Sequence, residues 1–479
     1  MRLIIILTAF SIYFQSIVFG ADYYVSTTGD NGADGSISTP WATPEYGATQ
    51  LADGDTLYIR GGSYDITTSG DIIYASAIAP SADNTTIKSY PGESVTLIGG
   101  TGVAPTNGVI GNATGASGQW RSGVTIDGFT IIGIVVLAYA SDLTLQNCDI
   151  SVGGDSWSGM GQGEIVIVQG VTNCTIKNNK LHDSSLRSGF GNSSLIMAYT
   201  ALNLTIENNE FYNSAGHGMN LKDTIVNATI RYNYVHDNDY SGLWTANQGN
   251  AFAGYTYPQN FVISNNIFVS NNTSNDDGNG AVTFSILTDN VIVHNNTFYN
   301  NTRSDYTHPN NAVTSWGFFN NILYNPVSNF LNWPYGATTF NLDYLDYNVY
   351  YSASPRWVYQ GSAYTSFSSW QTKCQSLLDG CDANSTTSDP SFSNESGSLG
   401  TQTDFRLTPS TPSTILTGGR GGEYQTYMGA WSPTDLSMWI GYCSSGYGNC
   451  SSSSVHGITI GGGPYTFTKG AGPYTLTLQ

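Results

Sequence analysis

Short alternations of apolar and polar residues recur along the middle of the chain, each broken by an asparagine corner. The phrases "LTLQNCDI" (143–150), "CTIKNNKLHD" (174–183), "LTIENNEFYN" (204–213) and "ATIRYNYVHD" (228–237) follow one another. The series continues in "FVISNNIFVS" (261–270), "VIVHNNTFYN" (291–300), "WGFFNNILYN" (316–325) and "LDYLDYNVYY" (341–350), and "GVTIDGFTII" (123–132) is a degenerate earlier copy. A period of two on either side of a polar break predicts strand, corner, strand.

The second corner position is held by Asn179, Asn209, Asn233, Asn266, Asn296, Asn321 and Asn348, at spacings of 30, 24, 33, 30, 25 and 27 residues. No helix-period segment of useful length separates these positions, which excludes strand–helix–strand units. A sandwich would turn every 8–12 residues with no preferred corner residue. The pattern therefore predicts an all-β chain: a right-handed parallel β-helix, a solenoid whose turns stack ~4.8 Å apart. Asn suits the corner because it tolerates left-handed backbone and its amide can bond to the next Asn in the stack. Variable spacing fits turns that share a core but carry loops of their own.

The flanks extend this reading. "GDTLYIRGGSY" (54–64) and "TTIKSYPGESVTLIGG" (85–100) read as first turns before the Asn corner begins. The pattern fades after residue 352, where a cysteine-bearing loop (370–390) leads to "DFRL" and "GAW" (429–431). The expected divisions are 1–20, 21–352, 353–431 and a small C-terminal Gly/Ser-rich extension at 432–479.

The N-terminus is the one place where apolar residues run on without alternation. "LIIILTAFSIYFQSIVFG" after Met1-Arg2 reads as a secretory signal cut near Ala21, so a secreted, extracellular or surface-bound protein without a membrane span is expected. The six cysteines, Cys148, Cys174, Cys374, Cys381, Cys443 and Cys450, then fall in an oxidising compartment and are expected as disulfides. Cys374 with Cys381 and Cys443 with Cys450 would close small loops. Thirteen Asn-x-Ser/Thr sequons add the expectation of glycosylation. With 15 basic and 34 acidic residues the formal charge is −19, which argues against nucleic acid and anionic membranes as partners.

Candidate chemistry comes from laying the turns side by side. "EIVIV" (164–168), "SLIMA" (194–198), "GMNLK" (218–222), "GLWTA" (242–246) and "GAVTF" (280–284) occupy one wall. If Met219 and Leu221 face the core, Gly218, Asn220 and Lys222 face out, with Trp244 in the column of Asn220. His217 stands at the strand entrance and Asp223 follows the lysine. An exposed Trp offers a flat surface to a sugar ring, while Asn and Lys can bond hydroxyls and carboxylate. The alternatives are structural: Trp244 as packing, Lys222 as a solvated charge, His217 as a turn residue.

The "GDTLYIRGGSY", "YPGE", "NN" and "DP.F … DFRL … GA" phrases together resemble secreted polysaccharide lyases of the chondroitinase-B/alginate-lyase-like and pectate-lyase-like families, over roughly residues 22–431. The resemblance implies β-elimination on a uronate-containing glycan. A base takes the proton beside the uronate carboxylate, and the glycosidic oxygen departs. By the same resemblance Lys222 would be the base, and Asp223, Asp237 and Asp239 would hold Ca²⁺. His217 joins it as a catalytic candidate, as does Arg231 around the next corner, since the carboxylate must be neutralised by Ca²⁺ or arginine. Asn220 and Trp244 would bind substrate. This segment carries fewer carboxylates than those lyases gather, and Asp276–Asp277 could supply a second cation site. "GHG" (216–218) occurs in polygalacturonase-type hydrolases, but "NTD" and "RIK" are absent here. The expected partner is a polysaccharide or cell-surface glycan. A non-catalytic, self-assembling adhesin, coat or filament subunit is the rival.

Overall fold

A computed structural model of the chain describes residues 20–66, 76–99, 108–114, 119–151, 165–184, 193–246, 250–274, 280–285, 288–308, 315–333, 342–394 and 399–431. The leader, Cys443, Cys450, Asp276–Asp277 and the 432–479 extension lie outside these residues.

The walls of the solenoid are built almost wholly from parallel pairs, as a period-two pattern without hairpin turns requires. Three walls repeat in each turn. The first includes Val135–Ala138, His217–Lys222, Leu243–Ala246, Val282–Phe284, Ser304–Thr307 and Asn329–Trp333. The second includes Ser141–Gln146, Ile225–Arg231, Gln259–Ser264 and Asp289–His294. Val166–Lys177 and Ser194–Glu207 run unbroken from the first wall into the second, so the two walls form one continuous sheet. The third wall is the 11-stranded sheet containing Asp149–Ser151, Lys180–His182, Glu210–Tyr212 and Tyr234–His236.

The core is a set of columns. Ile196, Met219, Leu243 and Val282 follow one another in register on the first wall, all fully buried. Leu143, Cys174, Leu204, Ala228, Phe261 and Val291 do so on the second. Each fully buried aliphatic side chain contributes roughly 1.5–3 kcal/mol. Since every turn buries one residue per column, stability accumulates turn by turn.

The corner asparagines divide the labour within each pair. The first position takes the left-handed backbone, with φ between 53° and 58° at Asn178, Asn208, Tyr232, Asn265, Asn295, Asn320 and Tyr347. The second builds the internal ladder. Asn179 Nδ2 donates to Asn209 Oδ1 at 3.0 Å, Asn209 to Asn233 at 3.0 Å and Asn233 to Asn266 at 2.9 Å. Asn266, Asn296, Asn321 and Asn348 continue the chain at 3.0–3.1 Å. Each Oδ1 also accepts the backbone N–H of the preceding corner, so corner groups that would otherwise be buried without partners are satisfied.

Both ends of the coil are covered. Near the N-terminal end the short helix Pro44–Thr49, capped by Thr43, packs so closely that a Cβ on Gly47 would stand 2.9 Å from Val25. At the other end the expected cysteine loop contains a helix, Phe367–Gln375, capped by Ser366 and packed through Trp370 and Cys374. The chain then returns over the third wall. Phe392, Leu399, Phe405, Ile415, Met428 and Trp431 pack against Tyr234, Ile267, Ile322 and Val349. The first-position asparagines fasten this strap: Asn295 Nδ2 donates to the Tyr427 carbonyl at 2.7 Å and Asn320 Nδ2 to that of Gln425 at 2.9 Å.

Two expectations are corrected. Cys374 and Cys381 form a disulfide, but Cys148 and Cys174 are separate buried thiols. Cys174 fills a core column beside Leu204, whereas Cys148 occupies the ladder position one turn before Asn179. Burial pushes both thiols up to about 12. Of the sequons, Asn112, Asn271, Asn272 and Asn295 are fully buried, which closes them to sugar transfer on the folded chain. Among the described residues no helix is long and apolar enough to cross a membrane.

Candidate functional site

The first wall turns one column of side chains away from the core: Val136, Ile167, Met197, Asn220, Trp244, Thr283 and Thr307, each beside the next. It begins apolar and becomes polar at Asn220. Beside it runs a parallel column of Ser194, His217 and Ser241. Alternation turns Asn220 and Lys222 outward, but it breaks at the strand entrance: a Cβ on Gly218, expected to face out, would stand 3.2 Å from Val235 of the core, while His217 turns out to Trp244.

Expecting this face to lie open to solvent is incorrect. Asn220 is 0% exposed, His217 2% and Lys222 3%, and only Trp244 is partly accessible. They point away from the core yet are withdrawn from bulk water. His217 lies flat on Trp244, with ring centroids 4.8 Å apart and planes 3° apart, and Tyr240 closes its other side at 5.5 Å. Its Nδ1 accepts the Ser241 N–H at 3.2 Å, which leaves the ring proton on Nε2. Burial, reinforced by the positive charge of Lys222, pushes the His217 imidazole down to about 3. Histidine here is a neutral, fixed ring. Lys222 places its ammonium 5.9 Å from the centre of the Tyr199 ring.

Asn220 is one of several residues along the first wall whose buried polar atoms lack a partner, as do both ring nitrogens of His308. Neither Oδ1 nor Nδ2 of Asn220 has a hydrogen-bond partner, although both atoms are buried. Ser194 Oγ, Thr307 Oγ1 and Asn329 Oδ1 on the same wall are also without partners. A buried amide left unsatisfied costs ~1–3 kcal/mol per group, so this wall carries recognition capacity that its own fold does not use.

The remaining candidates are not gathered here. Arg231 ends a strand of the second wall, where its guanidinium contacts Glu207 at 2.7 Å. Asp237 sits past the third wall, paired with His236 at 2.8 Å. Asp239 accepts the Thr273 hydroxyl at 2.7 Å, and fully buried Asp223 accepts from Asn250 at 2.7 Å. Among the described residues, no three His, Cys, Asp or Glu side chains converge as metal ligands. Asp223, Asp237 and Asp239 thus sit in separate hydrogen bonds rather than in one cluster.

Sequence reasoning missed Ser194, Thr307 and Asn329. The strands "SDYT" and "NFLNW" interrupt the apolar alternation, and only the register with Val282 and Thr283 reveals them as further turns of the same wall. The expected alignment of "GMNLK" with "GLWTA" holds, but it was one residue out between "SLIMA" and "GMNLK", where Ile196 pairs with Met219, and between "GLWTA" and "GAVTF", where Leu243 pairs with Val282.

A family model described as a right handed beta helix region matches residues 107–273 and 164–338. Pectate lyase PEL9 of Emericella nidulans is 36% identical over 83 residues, 17% of this chain and 19% of that protein, so the chain matches about a fifth of its curated relative. The lacto-N-biosidase GH136 from Eubacterium ramulus superimposes with a TM-score of 0.48 at 13% identity, covering 71% of this chain and 65% of that one. Pectate lyase Pel9A gives a TM-score of 0.42 at 15% identity, with 87% and 95% covered. The chain is a right-handed parallel β-helix protein resembling the polysaccharide lyases.

Proposed function

We propose that this is a carbohydrate-active protein that cleaves a uronate-containing glycan by β-elimination on the outer side of the first wall. The observation that carries the reading is Lys222: it is on an outward-facing strand, 3% exposed, beside an Asn220 amide with no partner. The likeness to pectate lyase PEL9 supports the same substrate class.

In this reading Lys222, once its ammonium has released a proton, accepts the proton from the carbon next to the uronate carboxylate. The electron pair becomes a carbon–carbon double bond, the glycosidic C–O bond breaks, and the departing oxygen takes a proton from solvent. Asn220 uses its free amide on the sugar, and His217 and Trp244 form a rigid apolar side to the site. His217 serves as wall rather than as base, because it gains no proton above about pH 3. Arg231 and the Ca²⁺ ligands have no part in this scheme, since the structure holds them on other walls or in other bonds.

The test is incubation with polygalacturonate, alginate and chondroitin sulfate, following ultraviolet absorbance of the unsaturated product. Wild type should generate it on one of these polymers, and Lys222→Ala should lose at least about 10²-fold. No product on any uronate polymer rejects the lyase. The exclusion of Asn220 and Lys222 from water also favours a second reading, a non-catalytic rod whose first wall is closed. Filaments of the native protein, with no turnover, would select it.

A further inference from the structure

The outward column of the first wall does not end at Asn220. Towards the N-terminus it continues through Met197 and Ile167 to Val136, and there a small apolar cluster of Ile134, Val136 and Ala138 is joined by Trp120. Trp120 arrives on a separate hairpin, in which Ala113–Thr114 pairs antiparallel with Gln119–Trp120. Its ring meets Tyr139 at 4.6 Å with an interplanar angle of 56°.

Tyr139 combines three features. It is 44% exposed, one of three large apolar side chains on the described surface that are at least this open. Its φ is +46°, the left-handed backbone it shares with the corner residues Tyr232 and Tyr347. The turn below makes room for it: a Cβ on Gly170 would stand 2.8 Å from Tyr139 Cδ1. Together these features turn an aromatic ring outward at the downstream edge of the first wall, nearly half of it in water.

That edge is the one on which Lys222 lies. From the turn of Tyr139 to the turn of Lys222 the chain advances through Val166–Lys177 and Ser194–Glu207, three steps of the coil, or ~14 Å at the spacing of stacked strands. We propose that Trp120 and Tyr139 form a distal saccharide-binding subsite that stacks on a sugar ring of a polymer whose reacting unit lies at Lys222. This rests on the reading of the first wall as the glycan site. The ligand class follows from the pairing of surfaces: aromatic rings at one end and unsatisfied neutral donors and acceptors at Asn220 suit a chain of flat-faced, hydroxyl-bearing rings. An apolar peptide or lipid would leave the Asn220 amide unmet.

The experiment compares wild type with Tyr139→Asn, Tyr139→Phe and Trp120→Ala on the full-length protein. Asn accepts the left-handed backbone but has no ring, so its effect is not one of misfolding. Binding and turnover are measured on polygalacturonate, alginate and chondroitin sulfate, and on the trimer of whichever polymer wild type binds. Tyr139→Asn and Trp120→Ala should weaken affinity for the polymer about tenfold and leave the trimer unaffected, with Tyr139→Phe behaving as wild type. Polymer binding unchanged in both ring-deleting variants overturns the subsite while leaving the function at Lys222 standing. Equal losses on polymer and trimer also overturn it, because they place the rings at the reacting unit. If wild type binds none of the three polymers, the reading of the first wall and the subsite fall together.

Discussion

The imidazole of His217 and the indole of Trp244 are parallel to within 3° at 4.8 Å, although 27 residues and one turn of the coil separate them. The contact makes His217 part of a wall and removes it from acid–base chemistry in the ordinary pH range. The unfolded chain binds a proton at this residue below about 6.5, whereas the folded ring waits until about 3. Between those values the unfolded state holds more protons, so stability is fully present above 6.5 and is lost as pH falls towards 3. NMR of the histidine ring carbons should show His217 unchanged from pH 8 to 5.

His182 and His236 should behave oppositely. Burial alone would lower them, but contacts with Asp149 and Asp183, and with Asp237 and Glu210, outweigh it and raise both. Their resonances should titrate above the usual histidine value, and their stabilising contribution should fade as pH rises through that higher value.

The asparagine ladder carries more stability than its polar character suggests. Asn266 donates to Asn296 and to the Ile230 carbonyl, and accepts both the side chain and the backbone N–H of Asn233. Asn266→Ala leaves that N–H buried without an acceptor and should cost about 3 kcal/mol in denaturant titration. Asn260→Gly, in an outer column where Asn260 Nδ2 donates to Asn227, keeps the left-handed backbone accessible and should cost about 0.5–1 kcal/mol.

Cys148 and Cys174 should be silent towards thiol reagents in the native protein, because burial holds both thiols up at about 12. Labelling should appear at these two positions only with denaturant. Peptide mapping should recover Cys374 joined to Cys381.

Asp305 is a fully buried carboxyl whose Oδ1 accepts from Asn301 at 2.9 Å, and burial raises it well above the ordinary range. The native state therefore keeps a proton that the unfolded chain releases, and stability falls as pH climbs from the unfolded value towards the folded one. Asp305→Asn retains an oxygen for Asn301 and carries no charge, so it should flatten this part of the pH–stability curve.

The "NN" phrases announced the coil because a corner that repeats without hairpin turns has few other solutions. They did not announce that the two asparagines do different work. That the second position bonds along the stack could be anticipated from the amide alone. That Asn295 and Asn320 clasp the strap at 427 and 425 could not, since nothing local marks residues more than 100 positions away as their partners. The strand pattern likewise placed Trp244 in the column of Asn220, whereas their cover was invisible: alternation reports direction, not depth. Arg231, only nine residues beyond Lys222, proved to lie on another wall and in an ion pair with Glu207.

The sequence by itself determined the winding, because hydrophobic period and corner chemistry are local properties that every turn repeats. Only the tertiary structure decided which outward side chains are withdrawn from water, which cysteines meet, and which amides go without partners. These depend on what another part of the chain lays over each column, and no single turn contains that information.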